Sequence, residues 1–127
     1  MRKLIIAETS NSPKVILDPE KNTFQIAGES RPPNAWEFYS PIVKWLEESS
    51  TNLTELNDRI TFDLNFNYFN SSSGKMILDI CKILAGLRRK GVDVEVKWYF
   101  EKGDIDMLEA GREMSDILKF PFEYVED

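Results

Sequence analysis

The sequence contains no histidine and only one cysteine, Cys81. Histidine is the commonest general base near neutral pH and a frequent zinc ligand, so its absence excludes a Ser-His-Asp triad and argues against zinc. A single cysteine cannot form an internal disulfide, and Cys81 lies within a helical pattern where we expect it to be buried and inert. We therefore predict no catalytic triad, no metal site and no cofactor.

Positive charge and long apolar runs are scarce as well. The chain has 16 Lys and Arg residues against 22 Asp and Glu residues, which gives a net charge of -6 at pH 7. Nucleic acids and anionic membranes attract basic surfaces, so we expect neither as a partner. No stretch has the length of a membrane span or the apolar region of a signal peptide, and we predict a cytoplasmic protein.

A strand followed by a helix forms the centre of the chain. Hydrophobic residues make up 42% of the 127 residues, which predicts a single domain over residues 1–127 with its own core. Residues 60–68 alternate between apolar and polar, which indicates a strand with one buried face. The residues expected on that face are Ile60, Phe62, Leu64, Phe66 and Tyr68. Apolar spacings of three and four then predict a helix that ends before Gly91.

The rest of the chain predicts an α/β fold with a sheet of four to six strands. Further strands are expected at residues 3–8, 15–18, 23–27, 92–100 and 120–125, the last on an edge because it contains Pro121. One helix is expected after Asn34 as N-cap, and another after Gly103-Asp104 with Met107, Ala110, Gly111, Met114, Ile117 and Leu118 inward. Residues 28–33 are predicted as a loop and residues 49–57 as a polar linker.

Two features of this pattern need interpretation. Pro41 interrupts the first helical stripe, so the helix either kinks there or stops and restarts with Ser40 as N-cap.

Both long strands alternate, which predicts helices mainly on one face of the sheet. The open face would carry Asp63, Asn65, Asn67, Glu95 and Lys97.

The serine turn, Asn70-Ser71-Ser72-Ser73-Gly74, joins the central strand to its helix. Unpaired N–H groups and the helix dipole favour negative charge at a helix N-terminus. One serine would suffice as a cap, whereas three offer sites for a phosphate, which adds roughly 1.5 to 2 negative charges. The helix end tolerates this charge, but a partner docked on the same surface would lose affinity. The turn therefore favours a phosphorylation-controlled protein–protein switch.

Two alternatives remain open. Ser72 and Lys75 match the S-x-x-K pattern of acyl-transfer enzymes, which would make the chain a small Ser-Lys hydrolase. Lysine acts as a base there only when burial lowers its pKa, and we expect Lys75 to be exposed. The other alternative is an interaction domain that is never phosphorylated, in which the serines only cap the helix.

The motifs resemble two related groups of proteins. A strand, Asn-Ser-Ser-Ser-Gly and an amphipathic helix resemble the STAS (anti-sigma-factor antagonist) domains, whose phosphoserine motif reads Asp-Ser-Ser-Gly. More closely, residues 28–39, 69–76 and 120–122 are similar to the SiaC family of bacterial regulatory phosphoproteins. This resemblance implies a STAS-like mixed β-sheet and a non-enzymatic partner-switching regulator. It implies phosphorylation by a cognate Ser/Thr kinase and reversal by a PP2C-type phosphatase. The unphosphorylated form would bind and activate a diguanylate cyclase, which raises cyclic di-GMP and promotes biofilm formation.

The resemblance also implies particular site residues. In the SiaC pattern the acceptor follows the asparagine, which corresponds to Ser71, whereas alignment on the STAS glycine gives Ser72. The docking surface would comprise the helix over residues 71–90 and the loop over residues 29–34. Its partner-binding residues would be Glu29, Arg31, Asn34, Asn70, Ser73 and Lys75.

Overall fold

The computed structural model describes residues 2–55 and 59–127, which form six strands and three helices. In chain order the elements are β1 (Leu4–Ile6), β2 (Lys14–Asp18), β3 (Thr23–Ser30), α1 (Ala35–Thr54), β4 (Ile60–Phe69), α2 (Ser71–Arg89), β5 (Val94–Phe100), α3 (Ile105–Leu118) and β6 (Glu123–Glu126). The predicted α/β class and order of elements are confirmed.

The six strands form one mixed sheet in the order β1-β2-β3-β4-β5-β6. The first three strands pair antiparallel, and β3 to β6 pair parallel. Parallel neighbours need crossover connections, and here each connection contains a helix. The N-termini of α1, α2 and α3 therefore follow the carboxyl ends of adjacent strands, at one edge of the sheet.

The alternation in β4 and β5 produces the predicted two-sided sheet. Ile60, Phe62, Leu64 and Phe66 are buried with Val94, Val96 and Trp98, and this core also contains residues of β2, β3 and the three helices. On the opposite face, Asp63, Asn65, Glu95 and Lys97 are partly exposed. Cys81 is buried as predicted, and burial raises the pKa of its thiol to about 12.

A β-bulge changes which side chains of β4 face the core. Gly28 pairs with Phe66, but Glu29 pairs with Tyr68, so the register shifts by one residue. Beyond the shift Tyr68 is 48% exposed, while Phe69 packs edge-on against Trp98 with ring centroids 6.2 Å apart. The prediction that Tyr68 faces inward is wrong because the extra residue inverts the alternation.

Three predicted element boundaries also differ from the structure. Helix α1 runs without a break past Pro41, so the alternative in which Ser40 caps a second helix is wrong. The helix continues to Thr54 because Ile42, Leu46, Ser49 and Leu53 keep one face buried. Residues 49–54 are therefore helical instead of linker, and Asn57, the end of that predicted linker, lies outside the described residues. Strand β3 continues through Ser30, which replaces half of the predicted loop.

The C-terminal elements follow the prediction in order and type, but the last strand begins at Glu123, so Phe120, Pro121 and Phe122 precede it. Asp104 caps α3 by accepting a hydrogen bond from the Met107 N–H at 3.1 Å, and β6 is an edge strand that pairs with β5. Ile117, predicted to face inward, is 57% exposed. The buried face of α3 runs instead through Met107, Gly111 and Met114. No helix within residues 2–55 and 59–127 has the length and hydrophobicity needed to cross a membrane.

Trp98 anchors α3 to the sheet. The indole Nε1–H donates to the Met107 carbonyl at 2.9 Å, and the ring stacks on Phe122 with centroids 5.8 Å apart. Gly111 lies directly over the indole, where an added Cβ would come within 2.6 Å of the ring. The helix can approach the tryptophan this closely only because residue 111 has no side chain.

We predict that Gly111→Ala lowers the free energy of unfolding by about 1–3 kcal/mol, as overpacked cores usually do. Urea denaturation followed by tryptophan fluorescence measures the change. The matched control is Gly86→Ala in α2, where the nearest atom to a new Cβ is 3.9 Å away. Alanine there should raise stability by about 1 kcal/mol through helix propensity. Equal urea midpoints for the two variants would contradict the packing described here.

Candidate functional site

Asn70, and not a serine, caps helix α2. The Asn70 Oδ1 atom accepts a hydrogen bond from the Ser73 N–H at 2.9 Å, and the Asn70 backbone is extended. The interpretation in which a serine supplies the cap is therefore wrong, because asparagine caps helices as well as serine does. The three serines instead form the first turn of the helix.

These three serines occupy different environments. Ser71 and Ser72 are exposed, so an enzyme can reach both hydroxyls. Ser73 is fully buried, and its side chain is out of reach of a docked partner in this conformation. The structure thus separates two accessible hydroxyls from one internal hydroxyl within three consecutive residues of the same type.

The Ser73 hydroxyl belongs to a buried hydroxyl cluster with Ser30 and Tyr39. The Ser30 Oγ atom donates to the Ser73 Oγ atom at 2.8 Å and lies 2.5 Å from the Tyr39 hydroxyl. Each of the three residues is fully buried. Burial raises the pKa of Tyr39 to about 12, against the opposing effect of its hydrogen bonds to Ser30 and Ser73. The cluster joins the end of β3 to the N-terminal parts of α1 and α2.

Backbone contacts tighten this junction. The Asn70 N–H donates to the Ser30 carbonyl at 3.0 Å, which ties the serine turn to the end of β3. Gly74 packs against Phe69, and a Cβ at Gly74 would lie 3.0 Å from the Phe69 ring. The glycine of the Asn-Ser-Ser-Ser-Gly motif thus lets the first turn of α2 lie close against the end of β4.

The loop between β3 and α1 lies beside the serine turn. Its Arg31 Nε atom is 2.6 Å from the Glu29 carboxylate, and both side chains are accessible to solvent. Asn34 is exposed and caps α1 by accepting a hydrogen bond from the Glu37 N–H at 3.0 Å. Together with exposed Lys75, these residues lie at the edge of the sheet where α1 and α2 begin.

The acyl-transfer alternative requires a desolvated lysine next to Ser72. Lys75 is exposed, as predicted, and the described residues around it provide no apolar enclosure. Ser72 is exposed to water as well. The first turn of α2 therefore lacks the burial that would activate a lysine as a base.

The apolar stripes of the sequence did not predict a groove that lies between α1 and α2. It has a volume of about 660 Å³ and is lined by Trp36, Ser40, Pro41, Val43, Lys44, Glu47, Met76 and Asp79. Trp36, the second residue of α1, is 69% exposed. The sequence contained one signal of this groove: Trp36 lies outside the apolar stripe of α1, so its side chain was not expected to be buried in the core. Exposed tryptophans of this kind are enriched at binding hot spots.

Comparisons with known proteins agree with this description. The family model described as SiaC family regulatory phosphoprotein matches residues 6–127. An uncharacterised protein of Pseudomonas aeruginosa (strain UCBPP-PA14) is 26% identical over 122 residues, which is 96% of this chain and 94% of that protein. The crystal structure of apo-SiaC from Pseudomonas aeruginosa has a TM-score of 0.86 at 25% identity, covering 98% of this chain and 99% of that one.

A second solved structure shares the fold. It is the crystal structure of the diguanylate cyclase SiaD in complex with its activator SiaC from Pseudomonas aeruginosa. The matching chain has a TM-score of 0.86 at 24% identity, with coverage of 98% of this chain and 99% of that one. The six-stranded mixed sheet with three helices is therefore the fold of SiaC structures.

We predict that Tyr39→Phe lowers the free energy of unfolding by about 1 kcal/mol, because it removes one hydrogen bond from the buried hydroxyl cluster. The difference from the wild type should shrink as pH rises above about 10. There the unfolded chain loses the Tyr39 proton while the folded chain keeps it to about pH 12, so the wild type alone loses this contribution.

Urea denaturation of both proteins at several pH values measures these effects. Tyr68→Phe is the control, since Tyr68 is about half exposed and its hydroxyl should change stability by less than about 0.5 kcal/mol. A stability difference between wild type and Tyr39→Phe that stays constant up to pH 12 would show that the Tyr39 hydroxyl is not buried.

Proposed function

The chain belongs to the SiaC family of regulatory phosphoproteins, and we propose that it is a non-enzymatic partner-switching regulator of a diguanylate cyclase. The observation that carries the proposal is the pair of exposed hydroxyls, Ser71 and Ser72, in the first turn of α2. The relation to a SiaC that is an activator of the cyclase SiaD supports the choice of effector. In this proposal the protein works in the cytoplasm and influences biofilm formation through cyclic di-GMP.

Ser71 is the proposed phosphate acceptor, with Ser72 as the second choice. Both are exposed, whereas the hydroxyl of Ser73 is buried, which supports restricting the modification to the first two serines. A phosphate here lies beside the N–H groups and positive dipole of α2, which stabilise a negative charge by about 0.3–1 kcal/mol. Lys75, one turn further along the helix, adds a positive charge. The fold therefore tolerates the modification.

The effector would dock over the groove that contains Trp36 and Met76, next to the serine turn. A partner seated there excludes water from the first turns of both helices. Phosphorylation then adds roughly 1.5 to 2 negative charges beside the interface, on a chain with a net charge of -6. Burying that charge without a paired cation costs affinity, so the effector dissociates. A cognate kinase adds the phosphate, and a PP2C-type phosphatase removes it to restore binding.

Phosphorylation assays with the cognate kinase test the acceptor assignment. We predict that Ser71→Ala loses most of the incorporated phosphate and that Ser72→Ala keeps it, as measured by mass spectrometry of proteolytic fragments. Ser115→Ala, which changes a partly buried serine at the other end of the fold, is the control and should be phosphorylated like the wild type. Unchanged incorporation in Ser71→Ala and in Ser72→Ala would contradict the proposal.

Titration calorimetry with the diguanylate cyclase tests the docking surface. We predict that Trp36→Ala weakens binding by about 2 kcal/mol, or roughly thirtyfold, as expected for a tryptophan hot spot. Ser71→Asp should also weaken binding and reduce formation of cyclic di-GMP. Ile117→Ala, an exposed apolar residue on α3, is the matched control and should bind normally. Unchanged affinity of Ser71→Asp would favour an interaction domain without a phosphoswitch.

A further inference from the structure

A basic cleft lies at the C-terminal end of α2, between the last turn of that helix and the segment joining α3 to β6. It has a volume of about 470 Å³, and its charged residues are Arg88, Arg89 and Lys119. Helix α2 contains 19 residues, which at 1.5 Å per residue puts the cleft about 27 Å from the serine turn. The cleft is therefore separate from the proposed switch.

The charge of the cleft is opposite to that of the whole chain. Arg88, Arg89 and Lys119 are exposed, and none forms an ion pair with any side chain in the two described ranges. By contrast, Arg59 on the neighbouring surface is paired with Asp93 and Glu95. Three cations without acidic partners thus face one cavity on a protein whose net charge is -6.

The cleft is held in shape by its own contacts. The Arg88 guanidinium lies over the Phe120 ring, 5.4 Å from its centroid, which fixes the arginine while its N–H groups remain available at the edge. The Ser115 hydroxyl donates to the Phe120 carbonyl at 2.7 Å, and the Phe120 N–H donates to the Ser115 carbonyl at 3.2 Å. These bonds fix Phe120 at the end of α3.

Helix capping accounts for only part of this arrangement. Arginines in the last turn of a helix complement its dipole, which explains Arg88 and Arg89. Lys119 comes from a different helix, where it adopts a left-handed conformation with φ of 51° that favours glycine. The structure therefore places a lysine side chain at this cleft although the backbone there would be less strained with glycine.

We propose that the basic cleft docks a short carboxylate-rich segment of a protein partner. Two carboxylates of such a segment can accept paired hydrogen bonds from Arg88 and Arg89, and a third can meet Lys119. An apolar side chain between them fits against Leu118 and Pro121, which also line the cleft. The occupant is short because Asp93, Glu95 and Glu123 line the adjoining surface beyond Arg88 and would repel a long polyanion such as nucleic acid.

Fluorescence anisotropy with labelled synthetic peptides, in which glutamates flank one phenylalanine or leucine, tests this proposal. We predict binding that weakens as sodium chloride rises, and a loss of about tenfold or more in the double variant Arg88→Gln/Arg89→Gln. The control Lys21→Gln/Lys102→Gln changes the net charge equally at exposed lysines elsewhere and should retain the affinity. Peptides with glutamine in place of glutamate should not bind.

Amide chemical shifts in NMR spectra of the full chain locate the peptide. Shifts at residues 88–91, 119, 120 and 122 support the proposal. Binding that survives in Arg88→Gln/Arg89→Gln, shifts centred on Trp36, or no binding by any acidic peptide would each overturn it. Tighter binding of a DNA duplex would overturn it in favour of nucleic acid, and equal saturation by inorganic phosphate would reduce the cleft to a general anion site.

Discussion

The buried hydroxyl cluster of Ser30, Tyr39 and Ser73 is the interaction on which the candidate site depends. Its hydrogen bonds of 2.5 and 2.8 Å connect a strand end to the N-terminal parts of two helices. Each hydroxyl is inaccessible to water, so a broken bond would leave a buried polar group unsatisfied. The cluster therefore fixes the N-termini of α1 and α2 side by side. The groove with Trp36 and the exposed serines both inherit their geometry from this junction.

Helix α2 has opposite chemistry at its two ends. Its N-terminus carries exposed hydroxyls where the dipole is positive, which suits the acceptance of phosphate. Its C-terminus carries Arg88 and Arg89 where the dipole is negative, and Lys119 joins them from α3. The middle of the helix is anchored in the core by residues such as Ile77, Ile80 and Leu84. One rigid element thus presents two surfaces, each suited to a different kind of partner contact.

Local patterns predicted most of the fold. The alternation in β4 and β5 and the apolar stripes of the three helices specified which residues face the core. A period of two or 3.6 assigns each residue to one face of its element without any long-range information. The misses occurred where a neighbouring element changed the local rule. A register shift opposite Gly28 exposed Tyr68, and the burial of Leu53 extended α1 through residues that looked like a polar linker.

For the candidate site, the sequence by itself determined that hydroxyls stand at the start of a helix in an acidic chain without histidine. Only the tertiary structure decided their roles, since three identical side chains in a row have no intrinsic difference. Successive residues of a helix point in different directions, and of the three serines only Ser73 points toward the carboxyl end of β3 and the N-terminal part of α1. The same packing left Trp36 outside the core. Such outcomes depend on contacts between residues about 40 positions apart, such as Ser30 and Ser73, which no local pattern encodes.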